Sequence, residues 1–253
     1  MKTAVVIPDL QVPLHDVGAV AAVQAFVADF QPDELYCVGD EADQFEISRW
    51  DKGTALEYGG TYQANLDMTH DVMKGFREAA PNAPFHVMRS NHGETRIRSY
   101  LKKWAPALDS VRELQYERLL RYADLDIDYH KRMWSFAPGW LLAHGDEGSL
   151  VHTPGGTAQA LAKRTGHSIV CGHTHKAGIQ HSHQGFGGKI THPSWAIECG
   201  HLMDMAKASY LPAGHGNWQQ AFAILHIDGG RVHPQLVLIH DGSFVVEGQE
   251  YYW

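Results

Sequence analysis

The sequence predicts an α/β protein: a strand–helix–strand layout over the first two-thirds, then antiparallel strands. Three observations predict it. Short apolar runs alternate with longer amphipathic ones through the N-terminal two-thirds. The C-terminal runs "WAIECG", "AFAILHID", "VHPQLVLIH" and "SFVVEGQEYY" have strand character. They are punctuated by the turn signals Asp228-Gly229-Gly230 and Asp241-Gly242. At 253 residues the chain can bury a substantial core. It shows no repeat, low-complexity tract or linker, so residues 1–253 are expected to form a single domain.

The elements follow in order. A first strand covers Thr3 to Pro8, and Asp16 then caps a helix over Val17 to Phe30, with Val17, Val20, Val27 and Phe30 near one face. "ELYCVGD" is a second strand ending at Asp40. A helix spans Tyr62 to Ala79, and "PFHVMRSNH" is a strand ending near Asn91. Helical stretches follow at Thr95 to Lys103 and Val111 to Tyr122. "GWLLAHGD" is a strand ending at His144, Thr157 to Arg164 a helix, and "HSIVCGHTH" a strand ending at His173. The C-terminal strands are expected to build a second sheet packed on the first.

The formal net charge of −8 argues against a broad nonspecific grip on nucleic acid. It leaves room for a nucleic-acid substrate, because bound metal supplies local positive charge. No run reaches the length of a membrane span, and Pro8 and Asp9 break the only N-terminal apolar run. Three cysteines without close pairing fit a reducing compartment, so the expectation is a cytoplasmic protein without membrane partners. Histidine is the compositional anomaly, at eighteen residues.

Five apolar runs end in metal-ligand types: Asp9, Asp40, Asn91, His144 and His173. In α/β sheets, sites assemble outside the carboxyl ends of strands. Each ending alone reads as a turn residue, but all five together point to a site. "GHTH" sets His173 and His175 two apart, where both imidazoles can reach one cluster. "GDEAD" pairs Asp40 with Asp43, and "SNHGE" places Asn91 beside His92.

With these residues in place, the sequence resembles the calcineurin-like metallophosphoesterases. The family pattern is D-x-H, GD-x-x-D, GNH-[DE], H and GH-x-H. Here it reads "DLQ", "GDEAD", "SNHGE", "AHGD" and "GHTH" in the same order, from Asp9 to His175. The resemblance implies a four-layer α/β/β/α sandwich of two mixed β-sheets flanked by helices. It also implies two divalent metal ions. Asp9, Asp40 and His175 would hold one, with Gln11 where a histidine is usual. Asp40, Asn91, His144 and His173 would hold the other. In such centres two cations roughly 3.5–4 Å apart polarise a phosphoryl group, and a bridging hydroxide attacks phosphorus in line. His92 resembles the acid that protonates the leaving oxygen, and Asp43 the carboxylate that orients it.

Three positions depart from the pattern. Ser90 replaces a glycine, and Gly93 displaces Glu94 by one, so Glu94 carries no assigned role. Gln11 offers an amide oxygen, a poorer donor than imidazole. It predicts a weaker first site with Mn²⁺ favoured, Fe, Zn²⁺ and Ni²⁺ being the other ions considered. The protein-phosphatase branch follows GD-x-x-D with an arginine, whereas here Gln44 and Phe45 follow Asp43. A diester carries less charge and needs that clamp less, so the expected activity is phosphodiester hydrolysis on a nucleotide or nucleic acid. A phosphomonoesterase and a non-catalytic binding scaffold of the same fold are the alternatives.

Other residues read more plainly. Arg49, Arg96 and Arg98 are expected to be solvated helix charges, and His15 a turn residue that could also approach the site. His181 and His183 repeat the two-apart spacing but lie on a surface strand or loop. Trp195 and Trp218 are packing aromatics, with "HGNWQQ" in a loop that could border the site. Cys37 and Cys171 are core thiols.

Overall fold

A computed structural model describes residues 1–53, 57, 60–207 and 216–253. The N-terminal elements are β1 (Lys2–Ile7), α1 (Val17–Phe30), β2 (Glu34–Cys37), α2 (Tyr62–Ala79), β3 (Phe85–Met88), α3 (Arg96–Trp104), α4 (Tyr116–Leu119) and β4 (Ile127–His130). After them come β5 (Trp134–Ala137), β6 (Trp140–Leu142), α5 (Gly156–Thr165), β7 (Ser168–Cys171), β8 (Ala177–Phe186) and β9 (Lys189–Cys199). The chain closes with β10 (Ala221–Asp228), β11 (Arg231–Leu238), β12 (Ser243–Val246) and β13 (Gln249–Tyr252).

Two mixed sheets form the centre. The first has the order β11-β10-β1-β2-β3-β4, and the second β5-β6-β7-β9-β8. Side-chain alternation assigns every layer. Val5 and Ile7 of β1, with Leu35 and Cys37 of β2, face a helical core built on Val20, Val23 and Phe26 of α1 and Met73 and Phe76 of α2. Their neighbours Ala4, Val6 and Tyr36 face the other way, against Trp140, Leu142, Val170 and Ile197 of the second sheet. On the far side of that sheet, Ile169 and Cys171 meet Ala158, Leu161 and Ala162 of α5. Three apolar interfaces therefore separate four layers, helix, sheet, sheet and helix.

Local chemistry explains the helix ends. Asp16 accepts the Ala19 amide at 3.1 Å and starts α1. Thr61 does the same for α2 through Ala64 at 3.2 Å. Gly166, at φ +70°, ends α5 in the left-handed conformation that glycine adopts without strain. Among the described residues, no helix is long and apolar enough to cross a membrane.

Three expectations are corrected. Val17 is exposed, and the buried stripe of α1 is Ala19, Val20, Val23, Phe26 and Val27, which share a face at helical spacing. The helix expected over Val111 to Tyr122 is broken into a 3-10 turn, the short α4 and a second 3-10 turn at Tyr122–Leu125. Both Tyr116 and Tyr122 donate their hydroxyls to Glu41 Oε1. Six residues of one helix would place them about 120° apart around its axis, so the break lets both reach one carboxylate. Finally, β10 and β11 extend the first sheet instead of building the second: β10 runs antiparallel to β1, from Lys2 opposite Ile227 to Val6 opposite Ala223. Phe222 and Ile224 of β10 face the helical core, and Ala223, Leu225 and Ile227 face the inter-sheet core. Only a strand of the first sheet touches both.

Candidate dinuclear metal centre

The loops after β1, β2 and β3 meet those after β6 and β7 at one edge of the sandwich. The strands stop at Ile7, Cys37, Met88, Leu142 and Cys171, so the polar residues sit in the loops beyond them and not at the strand ends. Gln11, Asp40, His173 and His175 all have positive φ, at 54°, 53°, 70° and 57°. Each such non-glycine residue costs roughly 1–2 kcal/mol, and four of them fall among these loops. Backbone bonds hold it in place. The Asp40 carbonyl accepts the amides of Leu10 at 3.1 Å and Gln11 at 2.8 Å, tying the first two loops together. Gly172 leaves room for Asp9, because a Cβ there would collide with Asp9 Oδ1 and Val38.

Two groups of ligand atoms result, each within 4.8 Å: Asp40, His144 and His173, and Asp9, Asp40 and His175. Asp40 belongs to both. Its Oδ2 lies 3.0 Å from Gln11 Nε2 and 3.3 Å from His144 Nε2. Asp9 Oδ2 accepts the His173 amide at 2.8 Å and lies 3.3 Å from His175 Nε2. Asn91 Oδ1 stands 2.7 Å from His144 Nε2. His144 Nδ1 is 2.8 Å from the Val38 carbonyl, which fixes Nδ1 as the donor and aims Nε2 at the cluster. All seven expected ligand residues are thus brought together.

The donor set fits cations. Asp9 Oδ1 and Gln11 Oε1 are buried acceptor oxygens with no hydrogen-bond partner. Such atoms are costly to bury unless something positive meets them. Burial and the charge of Asp40 push Asp9 up to about 7. Burial also opposes the charge on Asp40, but His144 and His92 outweigh it and hold this carboxylate ionised. Burial lowers His173 and His175 to about 4, which keeps both imidazoles neutral and able to ligate.

His92 forms a second constellation at the rim. Its Nδ1 is 3.1 Å from Asp43 Oδ2, its amide donates to Asp40 Oδ1 at 3.0 Å, and Arg96 Nη2 lies 3.3 Å from its Nε2. Burial works against protonating His92, but Asp40 and Asp43 overcome it and raise its pKa above the ordinary value. Gln44, which stands where the protein-phosphatase branch has an arginine, donates to the carbonyls of His92 and Gly93 and accepts from Tyr62. Ser90 accepts the Gly93 amide at 3.1 Å and so shapes the same loop. Glu94 turns away to Tyr129 and Lys131.

Arg96 and Arg98 are not the solvated charges expected. Arg96 donates to the backbone carbonyl and the carboxylate of Asp43, and Arg98 to Asp109 and the Leu114 carbonyl. The spacing of His92 and Arg96, four apart leading into α3, was the available signal. The sequence reading also missed Arg89, whose guanidinium grips both oxygens of Asp146 at 2.7 and 2.8 Å and ties the Asn91 loop to the His144 loop. His201 was missed as well: its ring lies 5.5 Å from that of His175, and its Nε2 is buried without a partner.

The remaining residues fall as follows. His15 is buried in its turn, which pairs with Met203. His181 stacks on Trp195 along β8, outside the centre. Trp195 packs on the inter-sheet core. Residue 215 of "HGNWQQ" lies outside the described residues, but Trp218 meets the His175 ring edge-on at 4.4 Å and borders the centre. Cys37, Cys171 and Cys199 are buried and unpaired, and burial raises all three thiols.

No protein-family profile matches the chain. It is 35% identical over 252 residues to the Gene 54 protein of Mycobacterium phage D29, covering 98% of this chain and 97% of that protein. It is 36% identical over 253 residues to the Gene 54 protein of Mycobacterium phage L5, covering 98% of each. Among solved structures, Vps29 of Chaetomium thermophilum superposes over 100% of this chain and 99% of its own at a TM-score of 0.50, with 10% identity. That likeness is one of fold, and the fold is the calcineurin-like metallophosphoesterase sandwich.

Proposed function

This chain belongs to the family of the Gene 54 proteins of mycobacteriophages D29 and L5, and we propose that it is a metal-dependent phosphoester hydrolase that favours diesters. One observation carries the reading: two ligand groups share the buried Asp40 beside a histidine held by a carboxylate. Asp9, Gln11, Asp40 and His175 would hold one ion, and Asp40, Asn91, His144 and His173 the other. Divalent cations bound there, Mn²⁺ foremost, supply Lewis acidity at a phosphoryl oxygen and acidify water. The buried, unpaired cysteines suit a reducing, cytoplasmic setting.

The chain's own residues perform the rest. Asp43 fixes the His92 ring through Nδ1, leaving Nε2 as the nitrogen that gives its proton to the departing oxygen. Arg96 now occupies the space at Nε2 while its other arm stays on Asp43, so a leaving oxygen takes the place of one guanidinium nitrogen. Asp40 joins the two halves, since its Oδ1 receives the His92 amide while its Oδ2 faces the ligand cluster.

Arg96 also favours a second reading, phosphomonoesterase. It brings a guanidinium to the site from α3 in place of the one absent after Asp43. Hydrolysis of a chromogenic phosphodiester with Mn²⁺, lost in His92→Ala and Asp40→Ala, is the expected result. Faster turnover of the matching monoester would select the second reading. No turnover of either ester with any divalent metal would leave a binding scaffold.

A further inference from the structure

Beside the metal centre, the segment after Phe45–Ile47 and one side of α3 enclose a groove of about 640 Å³. That is within the range of about 300–1,000 Å³ typical of ligand sites. Asn91 and Arg96 line it, so it opens directly onto the centre. It also holds Trp50 and Trp104, 74% and 55% exposed. Two large rings this exposed in one groove leave flat apolar surface available to a partner.

Cations accompany both rings. The Arg49 guanidinium is 4.4 Å from the Trp50 centroid, and the Lys52 and Lys103 ammoniums are 4.3 and 4.7 Å from that of Trp104. With Arg96, four cations line the groove against the carboxylates of Glu46 and Glu57, in a chain whose net charge is −8. Positive charge is therefore concentrated where the rings are. An acidic peptide would satisfy the cations but offers no series of flat faces. A nucleic-acid duplex has the charge, but its base faces are stacked on one another. An unpaired strand has both a free π-face and a phosphate at every residue.

We propose that this groove binds single-stranded nucleic acid. Bases stack on Trp50 and Trp104, phosphates meet Arg49, Lys52 and Lys103, and the adjoining phosphodiester is delivered to the metal centre. The assignment rests on the hydrolase reading and narrows its substrate to an unpaired strand.

The test uses the full chain in EDTA, so that binding is read without turnover. The probe is a fluorescein-labelled oligothymidylate of about twelve nucleotides, within the span of single-strand sites. Binding is expected to quench tryptophan fluorescence and to weaken with salt, by a slope of about 0.7 per phosphate engaged. Trp50→Ala and Trp104→Ala should each weaken it about fivefold to a hundredfold, while Trp→Phe at either position retains most of the affinity. Lys52→Ala and Lys103→Ala should each flatten the salt slope. Phe186→Ala, on the exposed end of β8, should change nothing. Three results overturn the assignment: no binding by the natural chain, equal binding by the double tryptophan variant, or equal affinity for a duplex of the same length. A parallel assay of a small chromogenic diester with Mn²⁺ separates the two readings. Turnover without oligonucleotide binding overturns the groove assignment and leaves the hydrolase standing. Oligonucleotide binding without turnover of any ester removes the hydrolase, and with it the delivery role.

Discussion

His92 Nδ1 stands 3.1 Å from one oxygen of Asp43, and Arg96 holds the other oxygen at 3.0 Å. The carboxylate is thereby clamped between an imidazole and a guanidinium, and the ring it orients has a fixed face. If His92 supplies the leaving-group proton, its value depends on the leaving group. His92→Ala should slow hydrolysis of an alkyl diester by about 10²–10⁴, and of a nitrophenyl diester far less, because nitrophenolate departs without a proton. Asp43→Asn should show a smaller loss of the same kind that disappears in the His92→Ala background. Steady-state kinetics on the two esters decides it, and equal losses on both would sink the role.

Gln11 places an amide where imidazole is usual, with Oε1 buried and unpartnered. Gln11→His should raise the metal retained after dialysis, and Asp40→Ala should lower it at both positions because both ligand groups lose a member. Metal counting by mass spectrometry reads both. Equal occupancy in the natural chain and Gln11→His would remove the idea that the first site is the weaker.

Gly172 offers a more local probe, since a methyl group there meets Asp9 Oδ1. Gly172→Ala should displace Asp9 and cut Mn²⁺-dependent turnover by about a hundredfold or more, as expected for a reacting group moved by about 1 Å. The far-ultraviolet circular dichroism should be unchanged. Normal turnover would mean that Asp9 has slack.

Stability should depend on pH through a pair outside the centre. His86 Nδ1 is 3.0 Å from His130 Nε2, and His86 stacks on Trp134 at 4.2 Å. Burial lowers both pKa values below the ordinary 6.5, and His86 lowers His130 further. Below about pH 6.5 this pair therefore binds more protons in the unfolded chain than in the folded one, so its contribution to stability falls as pH falls. In thermal melts this pair's contribution should be constant above that pH and shrink below it. His86→Phe, which keeps a ring against Trp134, should decline less steeply. Parallel curves would show that the pair does not carry this dependence.

How much of this was legible in the sequence follows from the range of the interactions. Asp16 as the α1 cap and the bounds of α2 are local matters of capping and periodicity, and both read correctly. The seven residues that converge in the candidate centre were legible because their order along the chain carries the pattern. The placement of β10 was not, because a strand buried on both faces does not say which sheet holds it. The break between Tyr116 and Tyr122 was hidden for a different reason. It answers to Glu41, far off in the sequence and unmarked by any local signal. Arg96 was misjudged because a basic residue on a helix reads the same whether it points to water or to Asp43.

The inter-sheet core has one further consequence. Asp9, Asp40 and Asn91 follow strands of the first sheet, whereas His144, His173 and His175 follow strands of the second. The centre is thus a gauge of how the two sheets are aligned. A sideways slip of one layer over Val6, Tyr36, Leu142 and Val170 would separate the donors before it unfolded either sheet. Substitutions deep in that apolar seam should therefore be felt first as lost convergence of these six side chains, at a distance, while the layers themselves remain intact.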